Sequence, residues 1–238
     1  MILSGKPVAD ALRLKYAKRI EKMAWRRTLT VIVDGTEDPQ YLAAIKREAE
    51  QWKINLMCPD GPFRAKKMGA IWAIDIRKPA NIIMTAFCSV DGQNDRGRET
   101  VYAGRMSKET PCTAEAIIRI LDYYDIPIAG KHAVVIGRSE RVGKPTAMLL
   151  LARDATVTVC HSKTDQDSMY ELVEDGVDIV VCASGQKGLL DWTCVPDGCT
   201  VINVGGDYDE CDKRLNLIPF KGGVGPVTAA VLMSHVLM

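Results

Sequence analysis

From residue 131 onward, short β-branched runs alternate with helical runs at nearly constant spacing, and few folds accommodate that rhythm. KHAVVIG (131–137) reads as a buried strand, VGKPTAMLLLA (142–152) as a helix and ATVTVCHS (155–162) as a strand. DSMYELVEDG (167–176) reads as a helix, and VDIVVCAS (177–184) and CTVINVGG (199–206) as two more strands. Strands alternating with helices of this length are βαβ units, so the sheet is parallel and its crossovers are right-handed. After a glycine-rich turn, KGGVG (221–225), the apolar run GPVTAAVLMSHVL (225–237) predicts an apolar helix.

The first half carries the same alphabet less regularly. Val8, Leu12, Tyr16 and Ile20 recur every four residues and predict a helix to about Met23. TLTVIVDG (28–35) predicts a strand closed by an Asp-Gly turn. A second helix follows, with Asp38 as cap, Pro39 in its first turn and Leu42, Ile45, Ala49 and Trp52 as its apolar stripe. INLMC (54–58) is a short strand. The stretch 62–78 fits either element, and the spacing of Met68, Ile71, Trp72 and Asp75 favours a helix. ANIIMTAF (80–87) predicts a third strand, the polar SVDGQNDRGRET (89–100) a loop, and PCTAEAIIRILDYY (111–124) a helix that opens on proline. The expected class is α/β.

Composition removes several function classes. Of 238 residues, 47% are hydrophobic and 26% charged, a globular balance that excludes a disordered chain. No run approaches the roughly 18 apolar residues of a membrane span. MILSGKPVADALRLK has no long apolar core behind basic residues, so no secretory signal is expected, and the cytoplasm is the expected compartment. The eight cysteines are scattered, which suits reduced thiols in a chain of this size. Cys194, Cys199 and Cys211 lack zinc-knuckle spacing, and Cys160 beside His161 cannot make a tetrahedral site alone, so no metal is expected.

The net charge of +1 is unevenly spread, with 16 Lys and Arg against 9 Asp and Glu in residues 1–78. That half either meets an anion or presents a solvated helix face through Lys15, Lys18, Arg19 and Lys22. Nucleic acid is disfavoured by the lack of a strongly basic domain or an aromatic RNA-binding signature.

GRSERVGKP (137–145) lies between a buried strand and a helix. A turn there sets backbone N–H groups and a helix N-terminus against a phosphate, and Arg138 and Ser139 add anion-binding side chains. Its spacing is not GxGxxG; the alternative is a plain turn in which Gly137 and Gly143 only relieve crowding. An acid at the end of the next strand would take the ribose hydroxyls of NAD. That strand ends instead in His161, Ser162 and Lys163, which with Arg138 suit the 2′-phosphate of NADP.

These segments together resemble one family. PCTAEAI, GKHAVVIGRSERVGKPTAMLLL, ATVTVCHSKT, DIVVCASGQKG and GGVGPVTAAVLM are similar, in order, to the methylenetetrahydrofolate dehydrogenase/cyclohydrolases. The likeness is close from about residue 100 to the end, apart from a shortened segment near 205–218. Before that it is looser, resting on LSGKPVADALRLK and VIVDGTEDP.

The resemblance implies two α/β domains, a folate domain of residues 1–110 plus 221–238 and a Rossmann-like NADP-binding domain of residues 111–220, with the tetrahydrofolate derivative in the cleft between them. It implies Thr113, Gly137, Arg138, Ser139, Gly143, His161, Ser162 and Thr228 at the cofactor, Gly223 and Pro226 at the substrate, and a homodimer. Family members oxidise 5,10-methylenetetrahydrofolate with NADP and hydrolyse the methenyl product to 10-formyltetrahydrofolate.

In the family a tyrosine and a lysine four residues apart stand on the second helix, and the lysine is the central catalytic group. Counting back from REAEQW, Lys46 matches that lysine, and the position four before it is Leu42. Partial desolvation at the rim of the apolar stripe would suit Lys46 to proton exchange. Tyr41 then stands one residue, about 100°, out of register, and reaches the pterin only if the helix start is rewound. The family's next catalytic segment ends a strand in Gln-Leu-Pro-Leu-Pro and leads to Asp-Val-Asp-Gly. Here IIMTAFCSVDG runs straight through: Thr85 stands for the glutamine, the prolines and a connecting segment are missing, and Ser89 replaces the first acid. Asp91 keeps the second, whose carboxylate can take the pterin's amino and ring N–H groups as a bidentate pair.

The expected activity is therefore NADP-dependent methylenetetrahydrofolate dehydrogenase, with cyclohydrolase activity through Lys46 weak or absent. The alternative is a catalytically silent or divergent NADP-binding protein acting on another one-carbon or pterin ligand.

Overall fold

The computed structural model describes residues 1–22, 27–32, 39–57, 72–75, 88–89, 91, 95–190, 192–207 and 213–238. Two parallel sheets carry the architecture. The first has the order β2-β1-β3-β4, built from β1 (Thr28–Ile32), β2 (Asn55–Met57), β3 (Trp72–Asp75) and β4 (Cys88–Ser89). The second has the order β6-β5-β7-β8-β9, built from β5 (His132–Ile136), β6 (Thr156–Cys160), β7 (Ile179–Cys182), β8 (Thr200–Asn203) and β9 (Asn216–Ile218). Every pairing is parallel. No helix among the described residues is long and apolar enough to cross a membrane.

The second sheet follows its sequence closely because its inner strands β5, β7 and β8 are covered on both faces, while the edge strand β6 is half open. Val134, Val135, Val180, Val181 and Val201 are fully buried, which is why the strands read as continuous apolar runs. The chain enters at β5 and steps outward to β6 through α5 (Gly143–Leu151). It then crosses back through α6 (Gln166–Glu174) to β7 on the other side of β5. That reversal makes the C-terminal end of β5 the switch point, where α/β sheets bind ligands. β9 was not foreseen, and its outer edge is capped by the N-terminus: Leu3 N–H donates to Leu217 O at 2.8 Å and Leu217 N–H to Met1 O at 2.7 Å.

Two expectations for the first half are corrected. The stretch favoured as a helix contains β3, because AIWAIDI tolerates both periods and a parallel partner is available: Leu29 to Ile32 of β1 pair with Trp72 to Asp75. The run expected as a loop contains α3 (Asp95–Tyr102), a polar helix that buries only Gly97 and Val101, four residues apart. The strand expected at 80–87 lies outside the described residues, as do Asp38 and Thr85.

Helices join the two sheets. α1 (Gly5–Glu21) buries Val8, Leu12 and Ile20, as its four-residue repeat requires. Ser4 caps it through a long bond from Lys6 N–H, 3.3 Å. α7 (Gly225–Leu237) is the apolar hub, with Val227 through Leu237 all buried, and it packs against α1, α2 (Pro39–Gln51) and α4 (Cys112–Tyr123). Truncating a side chain such as Leu232 to alanine is expected to cost about 2–5 kcal/mol. Gly5 opens α1 directly against the turn before α7: a Cβ there would stand 1.8 Å from Gly223 O, so only glycine allows the approach.

Candidate active site

A cleft of about 870 Å³ opens between the two sheets' helices. One wall is the start of α1 and the inner face of α2; the other is the end of β8 and the turn 220–226. On α2 the lining residues are Gln40, Tyr41, Ala44, Arg47, Glu48 and Gln51, whose spacings of three and four residues put them on one broad helical face. Ile45, fully buried, and Lys46, exposed, lie off that face.

The structure therefore does not bring Lys46 into the cleft, and it places Tyr41 there in a regular helix with no rewinding. Counted from Tyr41, the position four residues on is Ile45, a core residue. Lys46 is two residues from both Ala44 and Glu48, roughly 200° around the helix, so its amine cannot share their wall.

Asp91 is buried, 9% exposed, and is not among the residues lining the cleft. Its Oδ1 accepts the Cys112 N–H at 2.7 Å and thereby supplies an acceptor to the start of α4, whose cap residue Pro111 makes no side-chain cap bond. Burial raises the Asp91 pKa above the ordinary carboxylate value, against the opposing pull of the Cys112 N–H and of Arg141. Burial, then the Asp91 charge, raises the Tyr41 phenol well above its ordinary value, so it stays a neutral O–H donor in the cleft.

Thr113, Pro226 and Thr228 line the cleft, whereas Gly223 is packed beneath it against Gly5. Among the described lining residues, Lys6, Arg13, Arg47 and Lys221 stand against Asp10 and Glu48. Arg13 reaches Asp10 at 3.1 Å and Glu48 at 3.5 Å, and Glu48 also accepts the Trp52 indole N–H at 3.0 Å. The basic residues Lys15, Lys18, Arg19 and Lys22 are exposed and outside the cleft, so the helix-face reading holds for them. Sequence reasoning missed Arg13, Arg47, Glu48 and Lys221. The 3-4-3 spacing from Tyr41 was the signal available for Glu48, and it was overridden by the match to REAEQW.

At the switch point, the turn 137–142 leads from β5 into α5. Gly143 can only be glycine, since a Cβ would lie 2.0 Å from Gly137 O, and Gly137 itself has φ +123°. The N–H groups of Val142 and Gly143 converge on Ser139 Oγ through long bonds of 3.2 and 3.4 Å. Two turn N–H groups aimed at one oxygen at a helix N-terminus are the donor set a phosphate oxygen needs, so these residues fit a dinucleotide. Arg138 and Ser139 are exposed around them. Gly137 N–H donates to Cys160 O at 2.8 Å, which sets this turn beside the end of β6, where His161 is half-buried and Ser162 exposed. Across β5, Asp207 accepts from Ser184 N–H (3.1 Å), Ser184 O–H (2.6 Å) and Gly185 N–H (2.9 Å), which locks the ends of β7 and β8 together.

Comparison with known proteins agrees with this layout. Residues 111–238 match the model of the tetrahydrofolate dehydrogenase/cyclohydrolase NAD(P)-binding domain. The chain is 46% identical to the bifunctional protein FolD of Methanoculleus marisnigri, over 99% of this chain and 94% of the relative. That match spans 273 positions, more than the 238 residues here, so the relative carries segments that this chain lacks. Among solved structures, the bifunctional FolD of Campylobacter jejuni superposes with a TM-score of 0.84 at 26% identity, covering 100% of this chain and 97% of its own. The Trypanosoma brucei FolD, solved with NADP and an inhibitor, has the same fold, with a TM-score of 0.83 at 24% identity over 100% of this chain and 96% of its own.

Proposed function

The chain belongs to the tetrahydrofolate dehydrogenase/cyclohydrolase family, and from that premise we propose that it oxidises 5,10-methylenetetrahydrofolate to 5,10-methenyltetrahydrofolate with NADP, and hydrolyses the product only weakly. The NAD(P)-binding half carries its glycine turn, its anion-binding side chains and a helix N-terminus at the switch point. What bound NADP supplies is a hydride acceptor; the protein's task in that step is to hold two reactants in register. Tyr41, Thr113 and Pro226 border the space for the folate ring, and Arg138 and Ser162 border the place of the 2′-phosphate. The basic rim of Lys6, Arg13, Arg47 and Lys221 suits an anionic folate tail.

The observation that carries the split between the activities is the geometry of α2. Hydride loss leaves the cationic methenyl product without any proton transfer by the protein. Hydrolysis instead needs a water held at the methenyl carbon and a group to take its proton. Lys46 is outside the cleft and Ile45 is in the core, so α2 offers no lysine for that second task. The test is NADPH formation with methylenetetrahydrofolate, together with titration of both ligands. Saturation by folate and NADP supports the dehydrogenase, whereas binding of NADP without folate saturation supports the silent-module alternative. The cytoplasmic location, the homodimer and the domain boundaries belong to the same proposal; mass in solution tests the dimer.

A further inference from the structure

An aromatic ring that the reaction scheme leaves unused stands in the cleft. Among the described residues, Phe220 is the one exposed large apolar side chain that lines the cleft, with 47% of its surface accessible. Its seat is Gly206, in the turn after β8. A Cβ on Gly206 would lie 3.6 Å from the ring's Cδ1 and Cε1 and 3.7 Å from its Cδ2. Points equally far from these three atoms lie on the axis through the ring's centre, so Gly206 sits under a face of the phenyl ring rather than at its edge. The exposure therefore falls on the opposite face and the rim.

The support under the ring is fixed. Asn203 Oδ1 accepts Gly206 N–H at 2.9 Å and Asp207 N–H at 3.0 Å, and the N–H groups of Val204 and Gly205 both donate to Cys182 O at 2.9 Å. Gly206 has φ +77°, which a side chain would resist. A single apolar residue on a convex surface needs no explanation, but a ring presented flat to a concave ligand cleft does. Its place along the sheet identifies the ligand. With the 2′-phosphate on the β6 side of β5 and the diphosphate at the start of α5, an extended dinucleotide continues across β5 toward β7 and β8. The nicotinamide half then falls on the side where Asn203, Val204 and Phe220 line the cleft.

Resting on the NADP reading above, we propose that Phe220 is a platform for the nicotinamide ring and that it discriminates between the two oxidation states of the cofactor. Oxidised nicotinamide is a cationic ring, and the reduced ring is neutral. A phenyl face presents the negative side of its quadrupole, so it attracts a cationic ring stacked on it more than a neutral one. Phe220 thereby favours bound NADP⁺ over NADPH, which suits release of the reduced cofactor after hydride transfer. Lys221, the next residue, also lines the cleft, but it is exposed, and water and salt screen its charge.

The test is equilibrium titration of NADP⁺, NADPH and 2′-phospho-ADP-ribose, which lacks the nicotinamide, on wild type, Phe220→Leu and Phe220→Trp. Phe220→Leu raises the Kd for NADP⁺ by about fivefold and that for NADPH by less than about twofold, the scale of a partly solvated cation–π contact. Phe220→Trp keeps or strengthens the preference for NADP⁺, since indole is the better partner for a cation. All three proteins bind 2′-phospho-ADP-ribose alike, which also shows that the variants fold. Equal losses for NADP⁺ and NADPH in Phe220→Leu, no loss for either, or a loss confined to folate binding overturns the platform. If Phe220→Leu does not fold, Phe220→Trp decides: a ratio of NADP⁺ to NADPH affinity at or above that of wild type supports the platform, and a lower one overturns it. Wild type that binds none of the three ligands overturns the NADP reading itself, whereas wild type that binds them with unshifted variants overturns the role of Phe220 alone.

Discussion

Tyr41 and Lys46 stand on different sides of one helix: the tyrosine lines the cleft with Ala44 and Glu48, and the lysine is exposed. A helix turns 100° per residue, so five residues carry the chain about 140° past the starting face. Only one of the two side chains can serve the substrate.

Lys46→Ala is accordingly expected to leave both dehydrogenase and hydrolase rates within about twofold of wild type, the range of an exposed substitution. Tyr41→Phe removes a buried hydroxyl from the cleft wall and should raise folate KM or lower kcat by about tenfold, the worth of one hydrogen bond near a reacting ligand. Steady-state kinetics on both variants check this. A large loss in Lys46→Ala with a silent Tyr41→Phe would show that α2 turns on binding.

Cofactor choice rests on the turn after β5. Arg138→Ala should weaken NADP far more than NAD, because a charge-assisted bond to the 2′-phosphate contributes roughly 1.5–3 kcal/mol, about 10- to 150-fold in affinity. Paired titrations measure the ratio, and equal losses for both cofactors would place the phosphate elsewhere.

The second half of the fold was legible because its inner strands are covered on both faces, so the runs around Val134, Val180 and Val201 read as continuously apolar. The rest was hidden for identifiable reasons. AIWAIDI carries both periods, and only pairing with β1 makes it β3. α3 buries one large apolar side chain, Val101, too few to show a stripe. β9 has three residues and lies at the end of the shortened segment. Glu115 and His235 are 120 residues apart, and their contact left little trace: His235 is the one ionisable residue of the apolar run of α7, whereas α4 carries Arg119 and Asp122 beside Glu115.

The cleft's basic rim predicts an ionic effect. Arg13→Gln, or rising salt, should reduce any preference for polyglutamated over monoglutamated folate, since exposed charges are screened within about 8–10 Å at ordinary ionic strength. Arg13 Nε is buried without a hydrogen-bond partner among the described residues, and the side chain already contacts Asp10 and Glu48. A preference unchanged across salt concentrations would assign the tail to another wall.

Stability should report the link between β5 and the start of β7. The Lys131 hydrogen bond, helped by His132 N–H, holds Asp178 below the ordinary carboxylate value although burial opposes it. A lowered folded pKa stabilises above the unfolded value near 3.9 and is lost as pH falls through the folded one. Asp178→Asn should therefore lower Tm at pH 7 by the equivalent of about 0.2–1 kcal/mol, the range for a solvent-accessible pair. The difference should shrink below about pH 4. Thermal melts at the two pH values compare them, and a constant gap would mean that charge is not the cause.

The split between the two activities is the central claim, and a single progress curve tests it: NADPH, methenyltetrahydrofolate and 10-formyltetrahydrofolate followed together as the wild-type protein consumes methylenetetrahydrofolate. The geometry of α2 predicts that methenyltetrahydrofolate accumulates in step with NADPH while the 10-formyl product lags. Stoichiometric 10-formyltetrahydrofolate with no detectable methenyl pool would contradict it, and would mean that another cation of the cleft wall, Lys6 or Lys221, does the work that Lys46 cannot reach.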